Sequence, residues 1–159
     1  MLEDPLLLQV KMFLADFTWI RRREYREPYS VCTHFTMETI IAATRNEIRC
    51  AAALISFLDS RSHAIVAFET DYGLIYIEPQ SGNREYIEVG KQYPSKLAEV
   101  DDEARTVSGI RLLWNDNPQL KWLECMECYY VLPTTSIIDI CLMCHSTNTR
   151  LKSNTDLCK

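Results

Sequence analysis

Two sets of side chains in this 159-residue chain are spaced for chemistry. The first is a pair of C-x-x-C motifs, Cys125-Met126-Glu127-Cys128 and Cys141-Leu142-Met143-Cys144, separated by 12 residues. A C-x-x-C turn directs two thiolates to one side, and two such turns facing each other give the tetrahedral sulfur set that zinc prefers. A site of that kind uses all four ligands and leaves no open position for water, so the expected role is structural zinc. The second set is Cys32, His63 and Glu78. Cys32 falls at the predicted start of a helix, where unpaired N–H groups and the helix dipole stabilise a thiolate. His63 begins a predicted strand and Glu78 ends the next. A thiolate nucleophile needs a histidine within hydrogen-bond reach, and that histidine needs a carboxylate to fix its tautomer.

The elements must satisfy a condition for this triad to assemble. Side chains alternate faces along a strand, so His63 and Glu78 share a face only if the hairpin loop holds an even number of residues. A four-residue loop, Thr70–Gly73, sets Ile65 opposite Glu78 and His63 on the diagonal. A three-residue loop, Asp71–Gly73, separates them unless a bulge intervenes. Glu69 and Asp71 are rival carboxylates but lie near the far end of the hairpin, and rank below Glu78.

Around these residues the expected order is helix, helix, strands. Asp4-Pro5 is a helix start, followed by Leu7, Val10, Leu14 and Phe17 at helical spacing. Arg21-Arg22-Arg23 and Arg26, interleaved with Glu24 and Glu27, read as a solvated helix end rather than an anion site. After Pro28, Ser30 can cap a second helix over Val31–Arg45, with Asn46 as a left-handed stop. Strands are predicted over Ile48–Leu58, Ser62–Thr70, Leu74–Glu78, Arg84–Val89 and Ile110–Trp114, all rich in β-branched or aromatic residues. Tyr93–Arg105 is polar and reads as helical, and Asn115-Asp116-Asn117-Pro118 as a turn or linker. Helices followed by antiparallel strands make an α+β fold. The expected division is a main domain over residues 1–117, a zinc-ribbon-like unit over 118–146 and a polar, frayed tail over 147–159.

Within the ribbon, Tyr129–Ile140 can form its two strands. Ribbon knuckles commonly place glycine after the second cysteine, whereas Tyr129 and His145 stand there, and His145 is a competitor to Cys144 as fourth ligand. Cys50 reads as core, Cys158 as an exposed tail thiol and His34 as a surface residue or a second imidazole near the site.

Composition narrows the function classes. Charged residues are 25% and apolar residues 47% of the chain, an ordinary globular balance that argues against disorder. The net charge of -5 gives no general attraction to phosphate backbones, so nucleic acid is not expected as a partner of the main domain, though the ribbon could bind one. The acidic start and the short apolar run Leu6–Val10 lack the features of a secretory signal, and no apolar run approaches the ~18–20 residues that span a bilayer. The expected location is the cytoplasm, with no membrane partner, where cysteines point away from a disulfide framework. A zinc deaminase would need His-x-Glu with Pro-Cys-x-x-Cys, but Ile65 follows His63-Ala64 and no proline precedes Cys125. Gly73, Gly82, Gly90 and Gly109 never cluster into a phosphate-binding loop.

The stretch Tyr29-Ser30-Val31-Cys32-Thr33-His34-Phe35, followed by a helix and Ile48–Ile55, resembles the nucleophile segment of transglutaminase-like proteins. Ser62–Phe68 is similar to that superfamily's histidine strand, and Tyr76-Ile77-Glu78-Pro79 to its acid-proline strand end. The resemblance covers residues 29–90 and implies a papain-like core with Cys32 as nucleophile and His63 as base. Glu78 replaces the family's usual Asp. The implied activity is acyl transfer or hydrolysis at amide or peptide bonds of a protein or peptide substrate. The backbone N–H of Cys32 would be the first oxyanion donor, and Trp19, Tyr25 and Gln80 are candidates for the second. The rival reading is a non-enzymatic module with an inactive core, whose ribbon and its aromatics Trp114, Trp122, Tyr129 and Tyr130 bind a protein or nucleic acid.

Overall fold

The computed structural model describes residues 2–16, 31–94, 105–136 and 138–153. Among them are two helices, α1 (Leu7–Asp16) and α2 (Cys32–Arg45), and eight strands. The strands are β1 (Ala51–Phe57), β2 (Ser62–Thr70), β3 (Gly73–Ile77), β4 (Arg84–Glu85), β5 (Val107–Trp114), β6 (Lys121–Cys125), β7 (Val131–Thr134) and β8 (Thr149–Ser153). The α+β class expected from the sequence is therefore observed. The arginine run, Phe17, Trp19, Tyr25, Ser30, Cys158 and residues 95–104 of the expected third helix lie outside the described residues.

The first five strands form one antiparallel sheet in the order β4-β3-β2-β1-β5. Apolar side chains fill both of its faces, which is why β1 and β2 read as near-continuous apolar runs instead of alternating ones. On one face Val66, Phe68, Ile75 and Ile77 meet Val10, Phe13 and Leu14 of α1 and Ile40 and Ala43 of α2. On the other, Ala53, Ile55, Ile65 and Ala67 pack with Tyr93 and Val107.

Both helices end differently from their sequence signals. Asp4 does not cap α1; it pairs with Arg49 at 2.7 Å, and Asp71 of the β2–β3 turn accepts the Leu7 N–H at 2.8 Å instead. The arrangement makes Asp71 a long-range helix cap, satisfying one of the orphan amides of the first turn. At the end of α2, Asn46 has φ −95° and donates from its side chain to the Ala42 carbonyl at 2.9 Å, while Glu47 takes the left-handed conformation at φ 59°. The segment expected to be a linker after β5 is a polar clasp. Buried Asn115 accepts the Cys50 N–H at 2.9 Å and donates to the Ile48 carbonyl at 2.9 Å and to Thr44 Oγ1 at 3.0 Å, tying α2, β1 and β5 together.

The second sheet, β7-β6-β8, is also antiparallel. Two of its strands fall outside the Tyr129–Ile140 stretch: β6 ends on Cys125, the first cysteine of the first pair, and β8 follows the second pair. The strand β8 occupies residues assigned above to a frayed tail. Its polar composition hid it, because its side chains are only partly covered and its order comes from pairing with β6. Leu120, Trp122 and Val131 join the same apolar cluster as Val10, Ile40 and Phe68, so the two sheets close over one core.

Candidate active site and metal centre

His63 sits at the start of β2, opposite Ile55 of β1. The hairpin that follows has the even register: Thr70 pairs with Gly73 across a two-residue turn, Asp71-Tyr72, and Val66 pairs with Ile77. Gly73 supports that tight turn with φ 85°. The same register sets Ile65 across from Glu78, as in the four-residue expectation, so His63 and Glu78 share a face. Their side chains meet, with His63 Nε2 and Glu78 Oε2 2.6 Å apart. The other carboxylate oxygen, Oε1, accepts the backbone N–H of Gln80 at 3.4 Å. Glu78 N–H in turn donates to the Asn83 carbonyl at 2.9 Å, which anchors the acid in its turn.

Cys32 is the first residue of α2, following Val31 in extended conformation with φ −105°. His34, expected at the surface, turns back and accepts the Val31 N–H on Nδ1 at 3.4 Å, so it serves the helix start. The Cys32 side chain hydrogen-bonds the His63 ring. Burial of His63 favours the neutral ring, but the hydrogen bonds to Cys32 and Glu78 and the negative charges of both outweigh it, and raise the imidazole to about 9. The balance favours the protonated ring.

Tyr93 completes the wall of this site, a residue the sequence signals missed. Its ring stands edge-on to His63 at 5.6 Å between centroids and to Phe57 at 5.7 Å. It does not begin a helix. Residues 90–93 hydrogen-bond along 105–107 through an isolated bridge at Gln92 and Thr106, with the Tyr93 N–H donating to the Arg105 carbonyl at 3.1 Å.

The second site is built at the tips of the smaller sheet. The four ligand sulfurs of Cys125, Cys128, Cys141 and Cys144 all lie within 4.8 Å of one another. Cys125 Sγ is 3.6 Å from Cys144 Sγ, and Cys128 Sγ is 3.5 Å from Cys141 Sγ. A tetrahedral metal with ~2.3 Å bonds to sulfur needs sulfurs roughly 3.8 Å apart, so the four cysteines are placed to hold a metal ion. Backbone amides already point at the sulfurs: Cys128 N–H lies 3.5 Å from Cys125 Sγ and Met143 N–H lies 3.4 Å from Cys141 Sγ. Burial raises the Cys125 thiol, yet the amides of Cys128 and Glu127 and the neighbouring sulfurs bring it below its ordinary value.

The knuckle geometry accounts for the missing glycines. Tyr129 and His145, each directly after a second cysteine, adopt the left-handed conformation glycine would otherwise supply, with φ 60° and 59°. The two knuckles close alike, Tyr129 N–H donating to the Cys125 carbonyl at 3.1 Å and His145 N–H to the Cys141 carbonyl at 2.9 Å. The fourth member of the cluster is Cys144, and His145 takes the turn position beside it.

Cys50 is fully buried, and desolvation drives its thiol far above the ordinary range, so it stays un-ionised; it is a core residue. Among the described residues no helix is long and apolar enough to cross a membrane. No protein-family model, curated protein or solved structure matches this chain.

Proposed function

We propose that this chain is a transglutaminase-like cysteine enzyme with a papain-like core, acting by acyl transfer or hydrolysis on amide or peptide bonds. The observation that carries this reading is a single imidazole that meets Glu78 at 2.6 Å and also interacts with a cysteine at a helix N-terminus. Such an arrangement holds the proton on His63 and leaves Cys32 as the attacking group. Thiolate attack on the carbonyl carbon would give a tetrahedral oxyanion, stabilised by the Cys32 backbone N–H. The His63 proton would go to the departing amine, leaving a thioester on Cys32 that water or a second amine resolves. Glu78 keeps the ring oriented and its charge balanced.

The metal we assign to the four cysteines is zinc, because a closed set of four sulfurs suits it and offers no open position. Its contribution when bound is cohesion of the smaller sheet, and Cys125, Cys128, Cys141 and Cys144 would hold it. Intact-mass spectrometry after mixing with p-nitrophenyl acetate tests the nucleophile. One acetyl group should appear on Cys32 and be lost in Cys32→Ser; acetylation elsewhere, or none, would contradict the assignment.

One observation favours the alternative of a non-enzymatic binding module. Met126, Tyr129, Ile140, Leu142 and Met143 are all exposed around the four-cysteine site, an apolar rim of the kind that marks an interaction surface. A binding module requires no activated thiol, so the same acetylation experiment separates the two readings.

A further inference from the structure

A buried hydroxyl on a ring that abuts His63 has no partner. Tyr93 is 3% exposed, its ring abuts His63, and its phenolic oxygen makes no hydrogen bond in the structure. Tyrosine hydroxyls in protein interiors are nearly always paired, because leaving one unpaired forfeits its hydration without return. Two more buried hydroxyls without partners, Thr33 and Thr36, lie one and four residues after Cys32 on α2.

We propose that the Tyr93 hydroxyl is a catalytic residue, the second oxyanion donor, which bonds the carbonyl oxygen of an acyl group under attack by Cys32. This inference rests on the acyl-transfer reading and names the donor which that reading lacked. The phenol remains a donor at every working pH: burial first, then the charges of Glu78, Glu85 and Cys32, push its ionisation far up. Gln80, the one earlier candidate among the described residues, has its backbone N–H directed at Glu78. In the step itself the Cys32 sulfur forms a bond to the carbonyl carbon and the C=O π pair moves to oxygen. Tyr93 and the Cys32 amide hold that oxyanion. Its collapse restores the carbonyl and expels the leaving group with the bonding pair, p-nitrophenolate when p-nitrophenyl acetate is the probe.

The test uses the full chain, zinc-loaded, as wild type and Tyr93→Phe, with two probes. Iodoacetamide alkylates Cys32 by displacement at a saturated carbon and creates no oxyanion; p-nitrophenyl acetate does. Tyr93→Phe should leave the alkylation rate within about twofold of wild type and lower the acetylation rate about 10²-fold. Its melting temperature should be unchanged or a few degrees higher, roughly what removing an unpaired buried polar group gives. An unchanged acetylation rate overturns the Tyr93 role while leaving the triad intact. Equal loss of both rates also overturns it, since Tyr93 would then act on the thiolate–imidazolium pair. A wild type that is not acetylated, with Cys32 alkylation indifferent to His63→Ala, removes the acyl-transfer reading and this inference with it. If Tyr93→Phe misfolds, Tyr93→Leu serves as a second removal of the hydroxyl that adds no donor, read by the same rate ratio.

Discussion

The two cysteine sites differ in what their sulfurs face. Cys32 is a single thiol whose partner is a titratable base, itself held by a carboxylate 2.6 Å away. The four clustered thiols face one another and backbone amides, at sulfur separations of 3.5 and 3.6 Å in the two closest pairs. A thiol beside an imidazole is left free to react with an electrophile; sulfurs converging on one point are placed to hold a cation. The difference lies in the neighbours, since both kinds of cysteine sit at turns or helix starts.

The sites are nonetheless joined by packing, and metal removal tests that most severely. Leu120, Trp122 and Val131 of the smaller sheet share a core with α1, α2 and β2. Stripping the metal with a chelator, or replacing Cys128 by Ser, should cost several kcal/mol, as structural zinc sites contribute roughly 10 kcal/mol to small folds. Calorimetry should show one transition, lowered by more than about 10 °C. Two separate transitions, the upper unmoved, would break the shared-core account. Next in size, Trp122→Ala should destabilise the chain by about 3–5 kcal/mol, because the ring is fully buried between the sheets. Denaturant unfolding gives that value, and a cost below about 1 kcal/mol would place the ring outside the cooperative core.

Much of the fold was legible because apolar and β-branched runs map onto strands, and the ends of β2 coincide with those expected from the sequence. The even hairpin register was posed as a condition by the alternation rule, and the observed pairing meets it through Asp71-Tyr72. The knuckles were legible from cysteine spacing, though Tyr129 and His145 concealed their left-handed turns. What failed was long-range. Asp71 caps a helix 64 residues away, and Asn115 ties elements 67 residues apart, neither of which a local pattern can announce. Polar β8 has no apolar periodicity, since its order derives from pairing with β6. Tyr93 was lost because a polar stretch reads as helix when its one buried ring is not distinguished.

A pH series sharpens the contrast around His63. Its folded-state value of about 9 lies above the ordinary 6.5, so the stability it contributes is complete below about pH 6.5 and is lost as pH rises through 9. Wild type should lose up to about 3 kcal/mol across that window in denaturant titrations, and Glu78→Gln distinctly less. Equal losses would contradict the Glu78 partnership. The smallest expected effect is at the knuckle: His145→Gly should gain about 1 kcal/mol by relieving the left-handed strain, whereas His145→Ala should gain nothing. Equal melting temperatures for the two variants would contradict that reading of the turn.

The central claim, that Cys32 is an activated nucleophile and the clustered cysteines are not, is tested most directly by iodoacetamide labelling of the zinc-loaded protein, mapped by mass spectrometry across pH. The account predicts fast Cys32 labelling that persists below about pH 8 and collapses in His63→Ala, with Cys125, Cys128, Cys141 and Cys144 slow throughout. Cys32 labelling that rises only as an ordinary thiol ionises, unchanged by His63→Ala, would contradict it.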